Sequence, residues 1–99
     1  MANYYLTNKA VDDLTNIWNY TFAKWSEKQA DKYYKILIDN CQEIANNHRL
    51  GKNYDKIDST IFGIRTIRHI ILYREVNVDY VEITRILHES MDLKKRILE

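Results

Sequence analysis

The chain has 99 residues, 45% of them hydrophobic and 29% charged, which suits one globular domain with a single modest core. Its formal net charge of only +1 argues against a protein that binds nucleic acid by bulk phosphate attraction. The single cysteine excludes an intramolecular disulfide and a thiolate metal cluster, and no apolar run reaches membrane-spanning length. The first residues lack a signal-peptide pattern, so we expect a cytoplasmic protein without a membrane partner.

The amino-terminal part predicts a short strand and then an amphipathic helix. Tyr4 to Leu6 is β-prone, and Thr7 or Asn8 is suited to cap a helix. Apolar side chains then recur at helical spacing, at Ala10, Leu14, Ile17, Trp18 and Trp25. Both tryptophans are therefore core candidates first, although Trp25, at the end of the helix, is also placed to contact a partner.

A second helix follows directly. Ser26 and Gln29 have the spacing of a capping box, in which the serine hydroxyl accepts a hydrogen bond from the amide of Gln29. Apolar positions then follow the i, i+3, i+4, i+7 rule, at Ala30, Tyr33, Tyr34, Leu37, Ile38, Cys41, Ile44 and Ala45. Cys41 lies on this stripe, so we expect a buried and inert thiol. Two helices with almost no loop between them form an antiparallel hairpin.

The carboxy-terminal half predicts strands. Residues 46–58 are polar and are predicted to form a loop. After it, β-branched and aromatic residues predict three strands, at Phe62 to Ile67, His69 to Val76 and Tyr80 to Leu87. Asn77 to Asp79 suits a hairpin turn, and the apolar run from Ile70 to Tyr73 suits a central strand. In the charged tail from residue 88 onward, four apolar residues are available to dock as a short helix: Met91, Leu93, Ile97 and Leu98.

The predicted order is therefore β-α-α-β-β-β with a short C-terminal helix or tail. Because the helical hairpin must bury its apolar stripe, we expect a two-layer α+β domain over residues 1–99, with the hairpin packed on a mainly antiparallel sheet. The first strand must pair within that sheet, but the pattern leaves its neighbour open.

The arginines are placed unevenly. Apart from Arg49, all of them lie at position 65 or later, at Arg65, Arg68, Arg74, Arg85 and Arg96. The guanidinium fork suits recognition of carboxylate or phosphate groups. The alternative is that these arginines pair with acids on a solvated face of the sheet, the candidates being Glu75, Asp79, Glu82 and Asp92.

Several strings, in order along nearly the whole chain, resemble the ParE/RelE toxin superfamily and its ParE branch most closely. The strings are Tyr5-Leu6-Thr7, Ile17-Trp18-Asn19-Tyr20-Thr21, Trp25-Ser26, Leu50-Gly51, Phe62-Gly63-Ile64-Arg65, residues 69–74 and residues 83–92. One departure is His48, where many members have proline, and it bears on loop rigidity. The resemblance implies a single toxin domain of a type II toxin–antitoxin system, the kind associated with plasmid stabilisation.

The resemblance also implies the partners. A cognate ParD-like antitoxin from the same operon would neutralise the toxin, and operator DNA would be bound only through the antitoxin complex. In the ParE branch the target is DNA gyrase, which is poisoned without catalysis by the toxin. In the RelE branch the toxin is a ribosome-dependent mRNA endoribonuclease. A third reading is a diverged member that binds its antitoxin but is not toxic.

The RelE route needs a base for the 2′-hydroxyl, a cation for the phosphate and an acid for the leaving 5′-oxygen. The candidates are Arg65 and Arg85 for the cation, His88 for the acid, Tyr73 as an assisting group, and a desolvated Lys52 or Lys56 for the base. The low net charge favours a protein target instead, so we favour gyrase inhibition and no catalytic residues.

Seven residues are our candidates for contact with a target: Trp25, Arg65, Arg85, His88, Met91, Lys94 and Lys95. Three scattered histidines and one cysteine do not make a metal site, and His69 is expected to be a packing or turn residue. We expect no metal and no cofactor, because no glycine-rich phosphate loop, nucleophile elbow or paired-carboxylate motif is present.

Overall fold

A computed structural model describes residues 2–97 of the chain. Its helices are α1 (Asn8–Lys24), α2 (Glu27–Asn46) and α3 (Leu93–Ile97). Its strands are β1 (Asn3–Leu6), β2 (Lys52–Asn53), β3 (Phe62–Thr66), β4 (His69–Asn77) and β5 (Tyr80–His88). The predicted α+β class and element order are confirmed, with one addition: the segment predicted as a loop contains the short strand β2. Within residues 2–97, no helix is long and apolar enough to cross a membrane.

The five strands form one mixed sheet in the order β1-β5-β4-β3-β2. β1 lies at an edge and runs parallel to β5, whereas the other pairs are antiparallel. The predicted turn between β4 and β5 is present, and the side chain of Asn77 accepts a hydrogen bond from the amide of Asp79 at 2.9 Å. The parallel pairing of β1 answers the question that the residue pattern left open.

Both predicted helix caps are present. The Thr7 hydroxyl accepts from the amide of Ala10 at 3.1 Å, and the Ser26 hydroxyl accepts from the amide of Gln29 at 3.1 Å. Each bond satisfies a donor at a helix start that has no partner within the helix. Only residues 25 and 26 separate α1 from α2, so the chain reverses sharply and the helices pack as a hairpin.

The hairpin covers one face of the sheet, which we call the inner face. Its core joins both helices to β4 and β5 and includes Ala10, Leu14, Leu37, Cys41, Ile44, Ala45, Ile71, Tyr73, Val81, Ile83 and Ile86. Cys41 is fully buried, and burial raises the pKa of its thiol to about 12. The predicted burial of the thiol is therefore confirmed, and burial disfavours the reactive thiolate.

The opposite, outer face of the sheet is partly covered by the loop after α2 and by α3. The buried residues here are Ile61, Ile70, Leu72 and Leu87, and Tyr54, Leu93 and Ile97 pack against them. Consecutive β4 residues thus alternate between two cores, as predicted for a central strand. Leu93 and Ile97 dock as expected, whereas Met91 precedes α3 and stays exposed, and Leu98 lies outside the described residues.

A tyrosine ties the loop after α2 to the sheet. The Tyr73 hydroxyl donates to the carbonyl of His48 at 2.8 Å and accepts from the amide of Gly51 at 2.8 Å. A Cβ at position 51 would lie 2.6 Å from Tyr73 Oη and 2.9 Å from the carbonyl oxygen of Gly63. Glycine is required here because loop and sheet approach too closely for any side chain.

Candidate partner-binding site

An open groove of about 780 Å³ lies where the tip of the helical hairpin meets the end of the sheet. Its walls are α1 and the start of α2 on one side, and the β3–β4 turn and the end of β5 on the other. Its lining residues include Asp13, Ile17, Tyr20, Lys24, Trp25, Tyr33, Ile67, Arg68, His69, Ile86, His88 and Met91. We call this feature the hairpin groove.

Large apolar side chains are exposed around the hairpin groove. Trp25 is 71% exposed, Tyr20 63%, Ile67 61% and Met91 40%. Apolar residues scattered singly on a surface are ordinary, but four gathered around one concave site make it a candidate binding surface. Aromatic side chains in such positions are common anchors of protein interfaces.

Trp25 is not a core residue, so that part of the sequence interpretation is wrong. It is the C-cap of α1, with non-helical backbone angles, and its amide donates to the carbonyl of Thr21 at 2.9 Å. The chain leaves the helix at this residue, and the side chain is therefore turned away from the apolar stripe. Trp18 remains partly buried on α1, where it stacks on Phe22 and its indole N–H donates to Asp31 at 3.0 Å.

Ile67 occupies a strained position in the β3–β4 turn. Its φ of 55° lies in the left-handed region, which glycine adopts freely and β-branched residues strongly disfavour. Its side chain is nevertheless mostly exposed and lines the hairpin groove. Strained residues concentrate at functional sites, so an exposed isoleucine at this angle is a candidate for contact with a partner.

The charge of the hairpin groove is positive. Lys24 and Arg68 line it, and among the described residues Asp13 is the one acid that does so. The Asp13 carboxylate is already engaged, because it accepts from the Arg85 guanidinium at 2.8 and 3.0 Å and from the amide of Ile86 at 3.0 Å. The Lys24 ammonium donates to the Tyr20 hydroxyl at 3.2 Å and has no acid partner among the described residues. A partner therefore meets apolar walls with cationic side chains beside them.

Two histidines form the floor of the hairpin groove. His69 on β4 and His88 on β5 are cross-strand partners, and their rings meet edge to face with centroids 5.2 Å apart. Tyr33 of α2 brings its hydroxyl to 2.5 Å from His69 Nδ1. Burial, together with the neighbouring His88, lowers the pKa of His69 to about 4, so His69 is neutral at physiological pH.

Arg85 does not line the hairpin groove. It lies on β5 beyond Ile83, the last β5 residue that pairs with β1. There the Asp13 carboxylate of α1, instead of a neighbouring strand, accepts the hydrogen bond from the amide of Ile86. The Arg85 guanidinium holds Asp13 in a two-pronged ion pair and donates to the carbonyl of Arg96 in α3 at 3.1 Å. Both side chains of the pair are largely buried, 14% and 13% exposed, so Arg85 joins α1, β5 and α3.

Arg65 lies on the outer face of the sheet, away from His88. Its cross-strand partner Ile70 belongs to the outer core, whereas the preceding residue, Ile64, packs on the inner core. The Arg65 guanidinium approaches Glu89 at 3.4 Å. The structure therefore does not bring Arg65 and His88 to one point, because the sheet lies between their side chains.

The other residues considered for RNA cleavage do not form a catalytic site with His88 either. Tyr73 is fully buried, and both its donor and an acceptor position serve the loop after α2. Lys52 and Lys56 are exposed, so neither is desolvated. Lys94 and Lys95 are exposed on α3, outside the hairpin groove. No group of three potential metal ligands occurs within residues 2–97.

Of the seven residues selected from the sequence, Trp25, His88 and Met91 line the hairpin groove together. Sequence reasoning missed Tyr20, Ile67 and the pair of His69 with Tyr33. A signal for Ile67 existed, because a large apolar residue in a short turn between strands is unusual. Nothing local signals the His69–Tyr33 contact, since 36 positions separate the two residues.

A helical hairpin on a mixed sheet, with a groove at the hairpin tip, defines a small two-layer α+β domain with one candidate surface for a partner. The family model described as ParE toxin of the type II toxin–antitoxin system parDE matches residues 4–93. Toxin ParE1 of Caulobacter vibrioides is 31% identical over 97 residues, which cover 98% of this chain and 99% of that protein. The chain therefore belongs to the ParE toxin family of type II toxin–antitoxin systems.

Further comparisons agree. Toxin ParE1 of Mycobacterium tuberculosis is 27% identical over 96 residues, covering 97% of this chain and 98% of that protein. A chain of the solved structure "Chromosomal ParDE TA system from P. aeruginosa" superposes with a TM-score of 0.76 at 16% identity, over 89% of this chain and 96% of that one. At this identity the superposition establishes the fold, and the resemblance read from the sequence strings is confirmed at the level of the family.

Proposed function

We propose that this chain is a toxin that poisons DNA gyrase and is neutralised by a ParD-like antitoxin from the same operon. The observation that carries the proposal is the ParE family match over residues 4–93. A gyrase-directed toxin acts in the cytoplasm on a protein target, which agrees with the near-neutral net charge of +1. Operator DNA would then be contacted by the antitoxin in the complex.

The hairpin groove is our candidate for the antitoxin site. Tyr20, Trp25, Ile67 and Met91 offer apolar surface that a helical or extended segment of the antitoxin would bury. Covering this patch would bury four exposed apolar side chains that share one groove. The antitoxin would thereby keep the toxin soluble as well as inactive.

A matched pair of aromatic substitutions tests the antitoxin site. Tyr20 lines the hairpin groove, whereas Phe22, two residues along the same helix, is also exposed but lies outside it. Tyr20→Ala should weaken binding of the co-expressed antitoxin by roughly 30-fold, the effect of an interface anchor, and Phe22→Ala should change it little. Titration calorimetry measures both. Equal effects of the two substitutions would exclude the hairpin groove as the antitoxin site.

Gyrase is favoured over RNA cleavage because the residues needed for cleavage are engaged or separated. Arg85 is held by Asp13, Tyr73 is buried, and Arg65 and His88 lie on opposite faces of the sheet. General acid–base catalysis needs its groups within hydrogen-bond reach of one reacting phosphate. These residues do not meet that condition.

Two purified assays distinguish the targets. With gyrase, the chain should inhibit supercoiling and trap cleaved DNA, and the antitoxin should relieve both effects. With ribosomes translating a defined message, the message should stay intact. If gyrase is unaffected at stoichiometric excess and the message is cut in the ribosomal A site, the RelE-type function replaces our proposal. If neither target responds and induced expression leaves growth unchanged, the chain binds its antitoxin without being toxic.

A further inference from the structure

The floor of the hairpin groove presents a paired hydrogen-bond donor that the fold does not use. In His88, the backbone amide of Ser90 donates to Nδ1 at 3.1 Å. A backbone amide can only donate, so Nδ1 of His88 is the unprotonated nitrogen and the ring proton of the neutral form lies on Nε2. The side chain of Ser90 also contacts this Nδ1, at 2.7 Å, and helps to hold the ring.

The contact with Tyr33 determines which ring nitrogen of His69 carries the proton. Burial raises the pKa of the Tyr33 phenol, which therefore keeps its proton, and His69 is neutral. The phenol has one proton and two acceptors within reach, His69 Nδ1 at 2.5 Å and the carbonyl of Thr66 at 3.4 Å. The contact with Thr66 is longer than an ordinary O–H···O bond, so we assign the proton to the shorter contact, which leaves the proton of His69 on Nε2. Within residues 2–97 neither Nε2 atom has a hydrogen-bond partner, and neither is sealed from solvent. Two N–H donors thus belong to rings whose centroids are 5.2 Å apart and that line the same groove.

We propose that His69 and His88 form a carboxylate-binding site, which receives an aspartate or glutamate of the antitoxin segment that occupies the hairpin groove. This inference rests on the proposed antitoxin partner and specifies its chemistry: an amphipathic segment with apolar anchors and one buried acid. An apolar segment would cover two N–H groups without giving them an acceptor, which is costly. A carboxylate has two acceptor oxygens, one for each donor, and the two ring centroids are 5.2 Å apart.

The surrounding charge selects an acid over a neutral amide. Arg68 and Lys24 line the same groove and favour an anion. The two acids of this chain that act electrostatically on His69 are engaged, Asp13 with Arg85 and the amide of Ile86, and Glu89 with Arg65 at 3.4 Å. A carboxylate from the partner therefore completes the site without displacing an existing contact.

Substitutions at His88 test the site because glutamine and leucine differ in the property that matters. The glutamine amide provides an N–H donor near the position of Nε2, whereas leucine provides none. His88→Leu should weaken binding of the operon-encoded antitoxin by about tenfold or more, and His88→Gln should restore most of it. Lys35→Ala, an exposed α2 residue outside the groove, serves as the control. Circular dichroism and thermal unfolding verify that each variant is folded.

The partner's side of the contact is located by changing each acid of the antitoxin in turn to its amide. One such change should cost about tenfold with the wild-type toxin and nothing further with His88→Leu, as expected for two groups in direct contact. If the wild-type toxin does not bind the antitoxin, the proposed function fails. If the antitoxin binds but His88→Leu and Lys35→Ala bind equally well, the histidine site is overturned and the antitoxin partner stands.

A measurement on the unmodified protein avoids any ambiguity from misfolding. Nitrogen-15 NMR of the histidine rings should show the Nε2-protonated tautomer for both residues in the free chain. In the antitoxin complex both Nε2 protons should become visible and resist exchange with water, because each is held by an acceptor. Nε2 protons that exchange as fast in the complex as in the free chain would overturn the proposal.

Discussion

Replacing Asp13 by alanine should destabilise the protein severely. The Asp13 carboxylate holds the Arg85 guanidinium at 2.8 and 3.0 Å and also accepts from the amide of Ile86 at 3.0 Å. Breaking a buried ion pair by removing one partner costs about 3–5 kcal/mol. We take about 3 kcal/mol, because Arg85 keeps its bond to the carbonyl of Arg96. For a domain of this size that corresponds to a fall in Tm of roughly 12–24 °C.

The neighbouring residue supplies the control. Asp12 is exposed on the same helix, so Asp12→Ala should change the unfolding free energy by no more than about 0.5 kcal/mol. Asp13→Asn keeps an acceptor for the amide of Ile86 but loses the charge, so its stability should fall between those of the wild type and Asp13→Ala. Thermal and urea unfolding, followed by circular dichroism, measure all three variants. Equal stability of Asp12→Ala and Asp13→Ala would refute the reasoning.

The Asp13–Arg85 ion pair also allows a test of whether Arg85 has a structural or a target-binding role. Replacing both Asp13 and Arg85 by leucine removes the two charges together, and this double change should cost less stability than Asp13→Ala alone. A folded double variant that still inhibits gyrase would show that Arg85 is a structural residue. Loss of inhibition in a stable double variant would instead return Arg85 to the target-binding surface.

Three further predictions follow from single positions. Gly51→Ala should lower Tm, because the new Cβ would lie 2.6 Å from Tyr73 Oη and push the loop off the sheet; an unchanged Tm would mean that the loop shifts without cost. Ile67→Gly and Ile67→Ala should weaken antitoxin binding equally, yet the glycine variant should be more stable by about 1 kcal/mol, since only it relieves the positive φ of 55°; equal stability in denaturant melts would argue against strain. His69 has a folded-state pKa of about 4, below its ordinary value of 6.5, so the unfolded state binds more protons between these values. Stability should therefore fall as the pH is lowered from 6.5 towards 4, and His69→Gln should flatten that part of the profile.

The secondary structure was largely predictable because its signals are local. Thr7 and Ser26 cap their helices through the amide three residues later, and strand alternation is visible within a few residues. The two-residue strand β2 was missed, because its pairing with β3 depends on the loop being held by Tyr73. The parallel pairing of β1 with β5 could not be predicted from local pattern, because it joins residues more than 70 positions apart.

The candidate site was predictable only in part. Trp25 and Met91 were selected for their apolar character at the ends of elements, and both line the hairpin groove. Arg65 and Arg85 were selected for their chemistry, which says nothing about the direction of a side chain or what it contacts. Arg65 points to the outer face of the sheet, and Arg85 is held by Asp13. Neither contact can be read from the residues that neighbour these arginines in the sequence.

Sequence alone determined the class of this protein: the amphipathic stripes, caps and ordered strings specify a helical hairpin followed by a β-rich half, and they point to the ParE toxin family. These features depend on neighbours within one or two turns or strands, where residue type controls backbone geometry directly. Only the tertiary structure decided which side chains meet. His69, His88 and Tyr33 come from β4, β5 and α2, and their contact exists because the hairpin packs on one face of the sheet.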